Sequence, residues 1–269
     1  MVKRGLGTLL VCAILLVMPV DVLRAAKDGN YQYDILSDGT AEITHYYQPS
    51  YSVDHLIIPQ TIDGYTVTSI GSQAFSSCTA TGIAIPDTVT RIKRSAFFTC
   101  TTLESVSLPD NLKTIEKYAF YGNTNLKRIV FPDALEEIGE QAFFGCDMLD
   151  SMIVPNSLKD VAWQVFEGCD SLRNVYYKGT EEEWATLRLF RSNVGNVEMQ
   201  STVHYKFDLK TGDTNGDKTI NMMDALRLYA ATSGKISSEP LSVMLSDIHK
   251  DAQVNMVDAL ELYTIVSGA

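Results

Sequence analysis

Two acidic loops near the C-terminal end contain the residues best suited to bind a metal ion. In the first loop, oxygen-bearing side chains occupy positions 1, 3, 5, 9 and 12 of a calcium-loop pattern, and a backbone carbonyl is expected at position 7. A hard cation that takes about six to eight oxygen ligands explains this spacing, so we predict a calcium site. The residues at its ligand positions are Asp213, Asn215, Asp217, Thr219, Asn221 and Asp224.

A second loop, which begins 34 residues further along, repeats this pattern less closely. Its third position holds His249, whose imidazole suits transition metals better than calcium. Three carboxylates remain, so we expect a second calcium site that binds the ion more weakly. Its predicted ligands are Asp247, Asp251, Gln253, Asn255 and Asp258.

Each acidic loop leads into a predicted helix, and residues 220–229 and 254–263 have nearly the same sequence. Apolar residues form two stripes on each helix. One stripe can close the core of a small domain, whereas the other would stay in contact with water. The pattern therefore predicts a small all-α domain that presents two similar surfaces to a partner.

This pair of loops and helices resembles the type I dockerin family, in which position 12 of the loop is also Asp. The resemblance implies Ca²⁺ as the cofactor and the cohesin module of a scaffoldin as the partner. It also implies that loop positions 10 and 11, with the helix residues that follow them, face cohesin. Those positions hold Met222, Met223, Tyr229, Ala230, Met256, Val257, Tyr263 and Thr264. Because the two copies are so similar, we hypothesise that either helix can lead, which gives two docking orientations.

The composition argues against one class of partner. The chain has 269 residues, 45% hydrophobic content and a formal net charge of −11. It contains no basic run, so it lacks the clustered Lys and Arg side chains that bind phosphate backbones. We therefore expect no nucleic-acid partner.

The first 26 residues are predicted to be a signal peptide. Lys3 and Arg4 precede an apolar run from Leu6 to Val20, and small residues suited to cleavage follow at Ala25 and Ala26. The run is shorter than the roughly 20 residues of a membrane-spanning helix. Retention as a membrane anchor is the alternative. After cleavage we expect a secreted protein, extracellular or in a cell-surface assembly, with no membrane contact.

A period of 22 or 23 residues runs through residues 58–179. Each repeat has a Leu-x-x-(Ile/Val)-x-apolar segment, or one like it, whose first, fourth and sixth residues are expected to face inward. No single coil can bury its own apolar face, so about five coils must stack into a leucine-rich-repeat solenoid. The phenylalanines that mark the period are Phe75, Phe97, Phe120, Phe143 and Phe166.

One position of each repeat, three residues after the marker phenylalanine, holds a small residue. It is cysteine in four repeats and Asn123 in the other. A small buried residue at each turn explains this better than a disulfide framework does, so we expect buried free thiols. These cysteines are Cys78, Cys100, Cys146 and Cys169.

The repeat pattern Pro-x-x-Leu-x-x-Ile-x-x-x-Ala-Phe-x-x-Cys-x-x-Leu resembles the BspA-like leucine-rich repeats. The resemblance implies an N-terminal cap at residues 27–57 and a C-terminal cap at residues 180–206. In the latter, Thr180 and Glu183 can form a capping box at the start of a helix. We expect a mixed α/β chain in which a β-rich solenoid is followed by a linker at 207–212 and an all-α dockerin domain at 213–269.

Two rows of side chains are expected on the solenoid surface. One lies on the concave strand face and consists of Ala84, Ser107, Val130, Ile153 and Tyr176. The other follows the marker phenylalanines and includes Phe98, Tyr121 and Phe144. Exposed apolar strips mark interaction sites, so these rings could contact sugars or a protein. The alternative is that they pack against neighbouring turns.

We predict no catalytic residues and no enzyme activity. The histidines are scattered, at His45, His55, His204 and His249, without a serine or cysteine constellation near them. Paired carboxylates at 136–137 and 181–183 are available for glycosidic chemistry. A solvated coil edge and the first turn of a helix explain them better.

The expected function is therefore that of a non-catalytic secreted protein. A calcium-dependent dockerin would mount it on a cohesin-bearing scaffoldin, in a cellulosome-like context of polysaccharide degradation. The repeat domain would bind a protein or a surface glycan. The alternatives are a carbohydrate-active hydrolase subunit, because most dockerin-bearing proteins are hydrolases by resemblance, and a cell-surface adhesin or spacer.

Overall fold

The apolar periodicity of the repeats produces short strands separated by tight turns. A computed structural model of the protein describes residues 26–51, 53–187 and 202–204. In chain order the strands are β1 (Ala26–Asp28), β2 (Tyr31–Ile35), β3 (Ala41–Tyr46), β4 (His55–Ile57), β5 (Thr61–Ile62), β6 (Tyr65–Ile70), β7 (Gly82–Ala84), β8 (Arg91–Ile92), β9 (Ser105–Ser107), β10 (Thr114–Ile115), β11 (Arg128–Val130), β12 (Glu137–Ile138), β13 (Ser151–Val154), β14 (Asp160–Val161), β15 (Asn174–Tyr177) and β16 (Thr202–His204). Helix α1 (Glu181–Thr186) lies between β15 and β16.

The strands form two faces of a β-solenoid. The first face is one sheet in the order β1-β2-β3-β6-β8-β10-β12-β14, with β5 paired to β6. The second face consists of β4-β7-β9 and β11-β13-β15-β16, and β9 contacts β11. From β6 to β14 all neighbours on the first face are parallel, as stacked coils require. The leucine-rich-repeat part of the predicted fold class is thereby confirmed.

The second face has six strands before β16, one more than the five coils expected. The additional strand is β4, which the sequence analysis placed in the N-terminal cap. It pairs in parallel with β7, in register from His55–Gly82 to Ile57–Ala84. The solenoid therefore has about six turns.

The core contains a continuous stack of aromatic rings. Phe97 and Phe120 have ring centroids 5.0 Å apart and planes inclined by 10°, and the same arrangement continues to Phe75, Phe143 and Phe166. At the N-terminal end Tyr46 of β3 stacks on Phe75 at 5.3 Å. The cap thus extends the core by placing a tyrosine where a coil would place its phenylalanine.

The four repeat cysteines are free and buried, which confirms that prediction. In three coils the thiol donates to the backbone carbonyl of a phenylalanine in the preceding coil. Cys100 donates to Phe75 O at 3.1 Å, and the thiols of Cys146 and Cys169 do the same further along. Asn123 occupies the slot in the remaining coil and is fully buried, with no hydrogen-bond partner for either end of its amide.

The C-terminal end of the solenoid has the predicted capping box. The Thr180 hydroxyl accepts a hydrogen bond from the Glu183 backbone N–H, and the Glu183 carboxylate accepts one from the Thr180 backbone N–H. Strand β16 pairs in parallel with β15 and ends the second face of the solenoid.

Several predicted segments lie outside the described residues. They are nearly all of the signal peptide, the linker, and the dockerin domain with its loops and helices. Across the described residues, no helix has the length and apolar character needed to cross a bilayer.

Candidate functional site

The predicted calcium ligands and cohesin-facing residues all fall outside the described residues. Within residues 26–51, 53–187 and 202–204, no cluster of three or more His, Cys, Asp or Glu side chains is placed to hold a metal ion. The surface features of this part of the chain belong to the solenoid.

The row expected along the strand face is less exposed than predicted. Ala84 and Ile153 are buried, at 6% and 1% exposure, while Val130 is half-buried. Adjacent strands lie about 4.8 Å apart, so side chains at the same level shield one another. Ile153 is flanked in register by Val130 and Tyr176. The expected surface exposure is therefore wrong for Ala84 and Ile153, whereas Ser107, Val130 and Tyr176 are half-buried.

The second predicted row forms a regular stack, which we call the aromatic row: Phe98, Tyr121 and Phe144. The Phe98 and Tyr121 rings have centroids 5.1 Å apart, and the Tyr121 and Phe144 rings 4.9 Å, with planes inclined by 14° and 3°. All three residues are half-buried. Since each ring turns a face toward the next coil, the rings pack on neighbouring turns and present mainly their edges to solvent.

A pocket of about 380 Å³ lies beside the aromatic row. Phe98 and Tyr121 form one side of it, and Tyr118, Arg94 and the amide side chains of two glutamines, at positions 73 and 141, contribute to the lining. Tyr118 meets Tyr121 edge to face, with centroids 5.8 Å apart and planes inclined by 86°. We call this the Tyr118 pocket. Its volume falls in the range of about 300–1,000 Å³ that is usual for ligand pockets.

Two cations lie close to the Tyr118 ring. The Arg94 guanidinium carbon is 5.7 Å from the ring centroid, and Lys117 Nζ is 4.6 Å from it. Lys117 also donates to Glu140 at 2.8 Å, and this hydrogen bond raises the pKa of its ammonium group. Lys117 is therefore engaged, whereas Arg94 forms no ion pair with any residue that the structure describes.

The pattern of apolar residues in the sequence does not predict the Tyr118 pocket. Much of its lining comes from the position two residues before each marker phenylalanine, where the backbone is left-handed in every coil. The φ angle is +60° at Gln73, +55° at Ser95 and +62° at Tyr118, and the last two coils repeat it at Gln141 and Gln164. Most of these residues are polar, so the apolar periodicity that revealed the core does not reveal them.

The candidates for catalysis have structural roles. Glu136 pairs with Lys159 at 2.8 Å, and this hydrogen bond lowers the pKa of Glu136, whereas a general acid needs a raised one. Glu181, Glu182 and Glu183 form the acidic first turn of α1. Burial raises the pKa of the Cys100 thiol to about 12, so it is not a nucleophile at neutral pH.

Two family models match the chain. The BspA type leucine rich repeat region matches residues 68–193 in six copies, and the dockerin type I domain matches residues 211–266. Both domains are non-catalytic. No protein in a curated set matches the chain significantly.

Solved leucine-rich-repeat structures resemble the solenoid. The leucine rich repeat protein of T. pallidum is 30% identical, with a TM-score of 0.51 over 57% of this chain and 71% of that chain. A leucine-rich repeat protein from Bacteroides capillosus is 31% identical, with a TM-score of 0.41, over 52% of this chain and 97% of its own. The chain belongs to the BspA-type leucine-rich repeat family and carries a type I dockerin domain after its repeats.

Proposed function

We propose that this chain is a secreted, non-catalytic protein that is docked onto a cohesin-bearing scaffoldin and carries a repeat domain for binding. The observation that carries the proposal is the combination of the two domains. A type I dockerin implies docking onto cohesin, and a leucine-rich-repeat solenoid implies a protein ligand. No catalytic domain accompanies them among the matched families.

Calcium is the cofactor of type I dockerins, and the donor set of the first loop suits it. Asp213, Asp217 and Asp224 supply three carboxylates, and Asn215 and Asn221 supply side-chain oxygens. In the second loop His249 replaces one of these oxygens by nitrogen, so we assign weaker binding there. Because so small a domain has little core of its own, the ion would supply much of its folding free energy.

The cohesin interface is assigned to the two similar helix starts. Met222 and Met223 occupy loop positions 10 and 11 of the first copy, and Met256 and Val257 those of the second. Tyr229-Ala230 and Tyr263-Thr264 follow on the helices. These side chains are mostly apolar, and apolar and aromatic residues dominate the buried centre of protein interfaces. We infer an apolar interface in which either copy can lead.

The domain organisation follows from these assignments. A signal peptide at 1–26 precedes a cap at 27–57, whose last strand, β4, pairs with the first repeat. The repeats at 58–179, a second cap at 180–206, a linker at 207–212 and the dockerin at 213–269 follow. Proteins with BspA-like repeats or dockerins are typically extracellular or on the cell surface. The assembly would be cellulosome-like, in the context of polysaccharide degradation.

Capture on a panel of immobilised cohesins tests the proposal, with calcium and with a chelator. We expect at least one cohesin to retain the full chain only when calcium is present. Asp224→Ala should abolish retention, and Asp110→Ala is the matched control, because Asp110 is an exposed carboxylate of the repeat domain. A chain that no cohesin retains would refute the docking role. Turnover of plant polysaccharides by the purified protein would refute the non-catalytic role.

A further inference from the structure

The Tyr118 pocket has an electrostatic character that the aromatic row alone does not reveal. An aromatic ring carries partial negative charge on its faces and partial positive charge at its edge. In the row the faces of Phe98 and Tyr121 are turned toward each other, since their planes are inclined by only 14°. Phe144 covers the other face of Tyr121, so the row presents mainly C–H edges to a ligand, and these edges favour negative charge.

Arg94 adds a full positive charge to the same pocket. It is exposed, and its guanidinium group is held near the Tyr118 ring. Two carboxylates of the following coils already have partners. Glu116 accepts a hydrogen bond from the Arg94 backbone N–H at 3.0 Å, and Glu140 pairs with Lys117. The donors of the Arg94 side chain are thus available to an external acceptor.

Neutral donors complete the lining. Gln141 already donates one amide hydrogen to Gln164 at 2.6 Å and keeps the other. That hydrogen, the amide of Gln73 and the hydroxyl group of Tyr118 can each donate a hydrogen bond to a ligand. A carboxylate accepts hydrogen bonds at both oxygens, and a guanidinium group matches it with two parallel donors. Arg94 is the one charged side chain in the lining, in a chain whose net charge is −11.

We propose that the Tyr118 pocket binds the carboxylate side chains of an acidic segment of a protein partner. This inference rests on the proposed role of the repeat domain as a binding domain, and it names the chemistry of the partner. Arginine and tyrosine are also the residues that most often dominate the binding free energy of protein interfaces.

An acidic peptide fits the pocket better than an acidic sugar does. A pyranose ring binds by packing a face of C–H groups on an open aromatic face. Neighbouring rings cover both faces of Tyr121 and one face of Phe98, and Lys117 and Arg94 lie near the Tyr118 ring. A flexible carboxylate side chain needs only the donors and the ring edges.

The test is a calorimetric titration of the full chain, at low ionic strength, with an N-acetylated and C-amidated tetraglutamate peptide. We expect saturable binding that Arg94→Gln weakens at least about tenfold, which corresponds to the loss of one hydrogen-bonded ion pair. Arg91→Gln is the matched control. Arg91 is an exposed arginine of the same coil, outside the pocket lining, and its loss should change the affinity less than about twofold.

Three results would overturn the inference. One is the absence of saturable binding to tetraglutamate. Another is equal weakening by the two arginine variants, because this would reveal attraction to charge alone. The third is Arg94-dependent binding of trigalacturonate at least as tight as that of the peptide, which would make the ligand a glycan. Capture by cohesin, measured on the same preparations, separates these results from failure of the docking role.

Discussion

The rings of Tyr121 and Phe144 lie face to face, with centroids 4.9 Å apart and planes inclined by only 3°. The residues just before them, Phe120 and Phe143, stack in the core at 5.1 Å. The solenoid therefore has two parallel ring stacks that use the same coil spacing. One is fully buried and the other is half-buried, and their contributions to stability should differ accordingly.

Replacing a core ring should cost much more than replacing its neighbour in the aromatic row. We expect Phe120→Ala to lower the free energy of unfolding of the repeat domain by about 3–5 kcal/mol, through lost burial and the cavity that remains. Tyr121→Ala should cost less, about 1–2 kcal/mol, because its half-buried ring loses contacts with Phe98, Phe144 and Tyr118 but leaves no closed cavity. Denaturant unfolding followed by near-ultraviolet circular dichroism measures both. Equal costs would show that the row is part of the core.

The buried amide of Asn123 should reduce stability, because neither of its ends has a hydrogen-bond partner. In the neighbouring coils a thiol in this slot donates to a backbone carbonyl, as Cys146 does to Phe120 O. We expect Asn123→Cys to raise the free energy of unfolding by about 1 kcal/mol. The reverse change, Cys146→Asn, is the control and should lower it by about 1–3 kcal/mol. If both variants unfold like the wild type, the slot does not discriminate between amide and thiol.

The buried thiols should make the repeat domain sensitive to alkali. Burial raises the pKa of Cys100 to about 12 and that of Cys146 well above its usual value. A raised thiol pKa stabilises the fold fully below the pKa of an unfolded thiol, about 8.5, and this contribution is lost as the pH rises toward the folded value. The denaturant concentration at the midpoint of unfolding should therefore decrease as the pH is raised above about 9.

Alkylation resolved by peptide mass spectrometry provides the control for this effect. Cys78, Cys100, Cys146 and Cys169 should react with iodoacetamide in urea and stay protected in the native protein at neutral pH, because they are buried. Fast native alkylation of Cys100 would contradict the assignment of these thiols to the core.

Residues 220–229 and 254–263 have nearly the same sequence, which predicts that neither cohesin-facing surface is indispensable for docking, although calcium in the first loop is needed to fold the domain. Changing Met222 and Met223 to Asp should leave cohesin binding within about tenfold of wild type, because the second copy can lead. Changing Met256 and Val257 to Asp should have a similarly limited effect. The four changes together should abolish binding, as surface plasmon resonance can measure. Complete loss with the first pair alone would show that docking has a single orientation.

The sequence determined most of the solenoid because identical slots stack on one another. Because Phe97 and Phe120 occupy the same slot of successive coils, their burial and stacking follow from the period. The burial of Cys100 as a free thiol follows from it in the same way. The capping box at Thr180 followed from a local spacing that does not depend on the coils. Contacts between side chains at different positions of the repeat could not be predicted in this way.

Two features illustrate that limit. Alternation placed Ile153 on the surface, but the side chains that flank it on adjacent strands shield it. The Tyr118 pocket arises where the left-handed turn of one coil meets Arg94 of the coil before it and the aromatic row beside it. No periodic signal links these three slots, because none of them keeps one residue type through all five coils.

A calorimetric titration with a cohesin that captures the chain measures directly whether docking depends on calcium. We expect stoichiometric binding in calcium, no binding in chelator, and recovery when calcium is restored. Asp224→Ala should abolish binding, and Asp258→Ala should weaken it less, because the second loop already contains His249. Tight binding in the presence of chelator, or unchanged binding by Asp224→Ala, would show that docking does not depend on calcium in the first loop.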